Sequence, residues 1–161
     1  MPETILGLPV HILVVHAVVV LVPLCAVAVV VMVFSRLWRE RLRWPLLILL
    51  TGALASTYVA KQTGQWLQQK LAARGVTNAD ITNHVNYGNK AIWFVLLFWL
   101  VVVGWLYLDA RRPPVETATR VLGVVSVVVA VAATGWIVVT GHLGANAVWK
   151  GIVTVVDVSV R

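Results

Sequence analysis

The sequence predicts an all-α integral membrane protein, a bundle of four transmembrane helices with its N- and C-termini on the same, outer side. The first observation is composition: 60% of the 161 residues are hydrophobic and 12% are charged, whereas soluble domains carry about a quarter charged residues. The second is four long apolar stretches, since about 20 apolar residues cross a bilayer as a helix. The third is a cluster of arginines beside alternate ends of these stretches, which indicates membrane topology.

The first apolar stretch, residues 9–34, carries no charged side chain. Pro23 lies inside it and is expected to bend the helix. Pro45 suits the start of the second helix. We therefore predict one domain, residues 1–161, with spans at about 9–34, 45–67, 84–108 and 118–140, and an outer-side tail at 141–161 whose end is β-prone.

The link between the second and third spans has helix-ending and helix-starting residues. Gly75 follows Arg74 as a C-cap. Thr77 and Asp80 have the spacing of a capping box. The second and third helices are therefore expected to extend beyond the bilayer as a hairpin.

The net charge of +7 does not indicate a nucleic-acid binder, because the arginines lie next to apolar stretches and form no basic stripe. The segments SRLWRERLR and DARRPPVETATR are predicted to be short basic loops. The positive-inside rule places both loops in the cytoplasm of a multi-pass protein of the plasma (inner) membrane. Cys25 has no second cysteine to pair with and is expected to pack inside the first span.

The four histidines all fall at the predicted outer ends of the helices: His11, His16, His84 and His142. Helical bundles build cofactor and metal sites from side chains on facing helices. His11 and His16 are five residues apart, about 140° around a helix, so both cannot face one centre. A pair drawn from different helices is therefore favoured over a site with four histidines.

Three interpretations of the histidines stay open. Two imidazoles from different helices would bind b-type haem. Three or four nitrogens, with Asp80, would bind a divalent metal ion. Alternatively, each ring hydrogen-bonds to backbone or lipid headgroups at the interface. No nucleophile with a base and no phosphate-binding loop is recognisable, so a stand-alone enzyme is not expected.

Several short motifs resemble a family of small bacterial membrane proteins, the DUF2231 family, whose domain has no known function. They are GLPVHILVVHAVVVLVP at 7–23, Thr63-Gly64, His84, and Gly141-His142-Leu143-Gly144. The resemblance implies four transmembrane helices, no established activity, and an occasional association with iron–sulfur or other redox modules. It implies His11, His16, His84 and His142 as functional residues, with Gly64, Gly141 and Gly144 packing near the site. This chain has Lys150 where members often have histidine, and Ile12 where a proline is common.

These observations lead to a redox-associated membrane protein as the leading hypothesis. It would hold haem b through outer-side histidines and pass electrons between quinone and a redox protein. The alternatives are a non-catalytic accessory subunit of a larger membrane complex, and a divalent-metal-binding membrane protein. A homo- or hetero-oligomer is compatible with each.

Overall fold

Four helices make up nearly all of the chain. A computed structural model describes the backbone of residues 4–5, 7–111 and 116–159, and the side chains of these except 4–5, 8 and 151–159. All four helices are long and apolar enough to cross a bilayer, so the predicted all-α bundle of four candidate spans is confirmed. In chain order they are α1 (Val10–Phe34), α2 (Arg36–Ala73), α3 (Ala79–Ala110) and α4 (Glu116–Ser159), preceded by the paired two-residue strands β1 (Thr4–Ile5) and β2 (Leu8–Pro9).

The junction between α1 and α2 is one residue long. Ser35 is extended, and its Oγ accepts a hydrogen bond from the backbone N–H of Trp38 at 3.5 Å. Residues 36–43 of the predicted basic loop instead form the first turns of α2, and Pro45 lies inside this helix. Both predictions were wrong because arginine, leucine and glutamate favour helix and their charges are solvated beyond the bilayer edge.

The α2–α3 turn follows the predicted chemistry with a shift of one residue. Gly75 has φ +75°, and the N–H of Val76 donates to the carbonyl of Leu71 at 2.9 Å, as a C-cap requires. The cap of α3 is Asn78, whose Oδ1 accepts from the N–H of Ile81 at 2.8 Å. The prediction of Thr77 as the cap was therefore wrong, because Asn78 takes the extended backbone conformation of the capping position.

The last helix is longer than predicted. α4 continues through Gly141 and His142 to Ser159, so the β-prone tail expected over these residues is wrong. Extending an existing helix adds one hydrogen bond per residue, and this gain exceeds the weak helix propensity of valine and threonine.

The helices form a ring in which α1 and α3 lie on one diagonal and each packs against both α2 and α4. Valines make up much of the centre, where Val22, Val29, Val95 and Val102 are fully buried together with the ring of Phe98. Large apolar side chains cover the outside of the bundle, as expected for helices that face lipid. Cys25 is buried, as predicted.

The two ends of the bundle differ in chemistry. At the arginine end, where α2 and α4 begin, Asp109 accepts from Arg39 Nη1 at 2.8 Å and from Arg43 Nη2 at 2.9 Å. The Arg39 guanidinium also lies 5.2 Å from the centre of the Trp105 ring. At the opposite end, where α1 and α3 begin, two histidines approach each other. We call it the histidine end.

Candidate functional site

His11 is held against the backbone of α2. Its Nδ1 lies 2.9 Å from the carbonyl oxygen of Ala60. Its ring rests directly on Gly64, one turn further along α2, where an added Cβ would come within 2.9 Å of His11 Cε1. Only glycine leaves room for the ring at this position, because real Cβ contacts are not that short.

His84 is held in the same way against α4. Its Nδ1 lies 3.0 Å from the carbonyl oxygen of Thr140. Its ring rests on Gly144, where an added Cβ would come within 2.9 Å of His84 Cε1. Each of the two histidines therefore uses a carbonyl and the glycine four residues after it.

The two imidazoles lie next to each other across the bundle. Their ring centroids are 6.2 Å apart and their planes are inclined by 74°. A carbonyl oxygen can only accept, so Nδ1 carries a proton in each ring, and in the neutral form of the ring Nε2 has the lone pair. The hydrogen bond at Nδ1 that orients metal-ligating histidines in proteins is already present for both rings.

The other two predicted histidines lie outside this pair. His16 is exposed, and its Nδ1 lies 2.6 Å from the carbonyl of Ile12 in its own helix. His142 is also exposed, with Nε2 at 3.2 Å from Asn146 Nδ2. The structure therefore brings together His11 and His84 from the predicted set of four.

The remaining predicted site residues contribute unequally. Gly141 has no atom of another residue near its ideal Cβ position, so it does not approach the histidines as Gly64 and Gly144 do. Asp80, considered as a metal ligand, instead lies 3.2 Å from Lys150 Nζ.

Sequence reasoning missed the two carbonyl acceptors, on Ala60 and Thr140. These two backbone oxygens orient the imidazoles of His11 and His84. A backbone carbonyl acceptor is not marked by the side chain of its own residue. The available sequence signal was the glycine four residues further along the helix, because a glycine exposes that turn of backbone to a neighbouring ring.

Two neutral imidazoles can occupy two coordination positions of a transition metal. Within the described residues, no group of three or more His, Cys, Asp or Glu side chains is placed to hold a metal ion. The donor set therefore suits a centre that needs only two protein ligands. Haem iron is such a centre, since the porphyrin supplies four nitrogens itself.

Comparison with protein-family models gives one match. The family described as "Predicted membrane protein (DUF2231)" matches residues 7–157. The chain belongs to this family. No curated protein and no solved structure matches it. The DUF2231 match agrees with the family resemblance of the sequence, and the family is described as a membrane protein. The four helices are each long and apolar enough to cross a bilayer.

Proposed function

We propose that this protein is a membrane redox carrier that holds haem b iron between His11 and His84. The observation that supports it is the geometry of the pair. Two imidazoles that bind one metal ion from opposite sides at about 2 Å have ring centroids about 6 Å apart, and the centroids here are 6.2 Å apart. The two planes are free to differ in angle, because each ring can rotate about its own metal–nitrogen bond.

The residues around the pair suit this use. The carbonyls of Ala60 and Thr140 hold the Nδ1–H tautomer that presents Nε2 to a metal. Gly64 and Gly144 let each ring lie in close contact with the neighbouring helix. When bound, haem iron supplies one-electron chemistry. The protein's own part is to place two neutral nitrogens at one depth in the bundle.

The proposal extends to partners and location. A site at one end of a membrane bundle suits exchange of electrons between quinone in the bilayer and a redox protein at the surface. The arginines at the opposite end support, under the positive-inside rule, a cytoplasmic location for that end and an outer location for the histidine end. The membrane is then the plasma (inner) membrane.

The test is an absorption spectrum of the protein purified in detergent after expression with added haem. The Soret and α bands should be present, and His11→Ala or His84→Ala should each abolish the spectrum of a six-coordinate low-spin haem. His16→Ala and His142→Ala are matched controls, because both rings lie outside the pair, and they should retain it.

Other outcomes would overturn the proposal in distinguishable ways. A colourless protein with stoichiometric zinc or copper would favour the metal-binding alternative. A colourless, metal-free protein that co-purifies with a membrane complex would favour an accessory subunit. Haem lost equally in His16→Ala and His11→Ala would contradict the assignment of ligands.

A further inference from the structure

We infer that the chain is a tandem repeat of one helical hairpin. The hairpins α1–α2 and α3–α4 are equivalent units, related by a two-fold axis along the bundle. Gly64 and Gly144 are equivalent residues that position the histidines. This inference deepens the proposed function, because the axis passes between the two imidazoles. The arrangement of the helices is compatible with it, since a two-fold axis exchanges α1 with α3 and α2 with α4 and leaves the ring unchanged.

The core residues of α1 and α3 correspond with one constant displacement. Adding 73 to each core position of α1 from Val18 onward gives a core position of α3. All ten residues are at most 5% exposed. The pairs are Val18 with Ala91, Val22 with Val95, Cys25 with Phe98, Val29 with Val102, and Met32 with Trp105.

The core residues of α2 and α4 correspond in the same manner, with a displacement of 80. All eight residues of this set are at most 4% exposed. The second displacement is larger by seven because the two hairpins differ at their connections. α3 runs further than α1, and five residues separate Ala110 from Glu116, whereas Ser35 alone separates α1 from α2. The pairs are Leu46 with Ser126, Leu50 with Ala130, Ala53 with Ala133, and Thr57 with Ile137.

A shared core pattern alone would be weak evidence, because any helix in a bundle buries a residue every third or fourth position. The site supplies the independent evidence. With the displacement of 73, His11 corresponds to His84. With the displacement of 80, Ala60 corresponds to Thr140 and Gly64 corresponds to Gly144. The core registers therefore predict the same hydrogen bond and the same ring-on-glycine contact in each half, and both are present.

The same correspondence separates the histidine pair from the other histidines. His16 corresponds to Asn89, and His142 corresponds to Gln62. Neither has a histidine equivalent in the other hairpin. Each unit therefore contributes one ligand, one carbonyl and one glycine to a centre on the axis, which suits a metal that takes two equal imidazoles on opposite sides.

The test uses the full chain in detergent with 15N-labelled histidine and no haem, so that its outcome does not depend on cofactor binding. The ring nitrogen signals, assigned with the His11→Ala and His84→Ala variants, report which nitrogen carries the proton. Both rings should be Nδ1–H tautomers. Gly64→Ala should abolish this state for His11 and leave His84 unchanged, and Gly144→Ala should do the reverse to the same extent.

Two further pairs of variants keep the test decisive. Gly52→Ala and Gly135→Ala have open space at the added methyl and should leave both signals unchanged. Ala60→Thr and Thr140→Ala exchange the equivalent residues between the units, and both should preserve the tautomers because only the backbone oxygen is used. These two also serve if an alanine at Gly64 or Gly144 prevents folding.

The possible failures are separable. Equivalent tautomers in a protein that binds no haem would support the repeat and end the proposed function. A haem spectrum together with unequal responses of His11 and His84 to their own glycine variants would support the function and overturn the repeat.

Discussion

At the scale of single residues, backbone carbonyls orient His11 and His84, and salt bridges between charged side chains connect the helices at the arginine end. Imidazole within a membrane protein is costly unless it is paired, and the Ala60 and Thr140 carbonyls supply that pairing. Carbonyl oxygens cannot be removed by a side-chain substitution. The glycines that let the rings reach them can be changed, which makes the glycines the accessible test of this arrangement.

Asp109 is the residue whose loss should cost most at the arginine end. Its side chain is 16% exposed and neutralises two guanidinium groups that are 17% and 25% exposed. Asp109→Asn leaves two close positive charges with reduced solvent, and removing one partner of a buried pair costs about 3 kcal/mol or more. We expect a clearly lower melting temperature in detergent, with the histidine tautomers unchanged.

Glu40→Gln is the matched control for Asp109→Asn. Its salt bridge with Arg36 joins side chains that are 60% and 87% exposed, and such pairs contribute little. Equal melting temperatures for the two variants would show that the Asp109 cluster does not stabilise the bundle.

At the scale of elements, the sequence predicts what its side chains and turn chemistry encode. The four apolar spans and the Gly75 cap could be predicted, because apolar length and a positive φ both select residue types. The extension of α2 back to Arg36 and of α4 to Ser159 could not. Outside the bilayer, polar helices and loops have similar composition, so composition does not separate them. These segments are helical because the backbone hydrogen bonds of the helix continue into them.

Only part of the candidate site could be predicted, because the sequence shows which residues are histidines but not which of them meet. The chain's histidines were recognisable, but which two meet depends on the rotation of α1 and α3 about their axes. His11 and His16 differ by about 140° on one helix, so a single rotation brings one into the bundle and leaves the other outside. That rotation is set by the packing of Val18, Val22 and their equivalents.

The start of α3 provides a test of local helix capping. Asn78→Ala removes the acceptor for the Ile81 N–H and should lower stability by about 1 kcal/mol. Thr77→Ala, the neighbouring change, should have a much smaller effect because Asn78 occupies the capping position. Thermal unfolding of both variants in detergent measures the difference. A larger loss for Thr77→Ala would return the cap to the residue that the sequence alone suggested.

At the scale of the whole molecule, the bundle separates its chemistry between its two ends. Imidazoles lie at one end and, among the described residues, most guanidiniums lie at the other, with an apolar core between them. A repeat of one hairpin explains why both histidines lie at the same end, because equivalent helices start on the same side. The two hairpins differ at the arginine end, since Arg39 and Arg43 of α2 correspond to Thr119 and Gly123 of α4.

The orientation of this polarity in the membrane is the last prediction. Arg36, Arg39, Arg41, Arg43, Arg111, Arg112 and Arg120 lie in the basic segments between the first and second, and the third and fourth, apolar stretches. Positively charged segments near membrane spans stay in the cytoplasm. A membrane-impermeant maleimide should therefore label Arg74→Cys in intact cells, because Arg74 lies in the exposed α2–α3 turn at the histidine end.

Arg111→Cys is the matched control, because Arg111 is exposed at the arginine end, and it should react only after the membrane is permeabilised. The native Cys25 is 1% exposed and contributes little background, and Cys25→Ala removes what remains. Labelling of Arg111→Cys in intact cells, with Arg74→Cys protected, would invert the protein. The histidine pair would then face the cytoplasm, and any redox partner would have to be an intracellular protein.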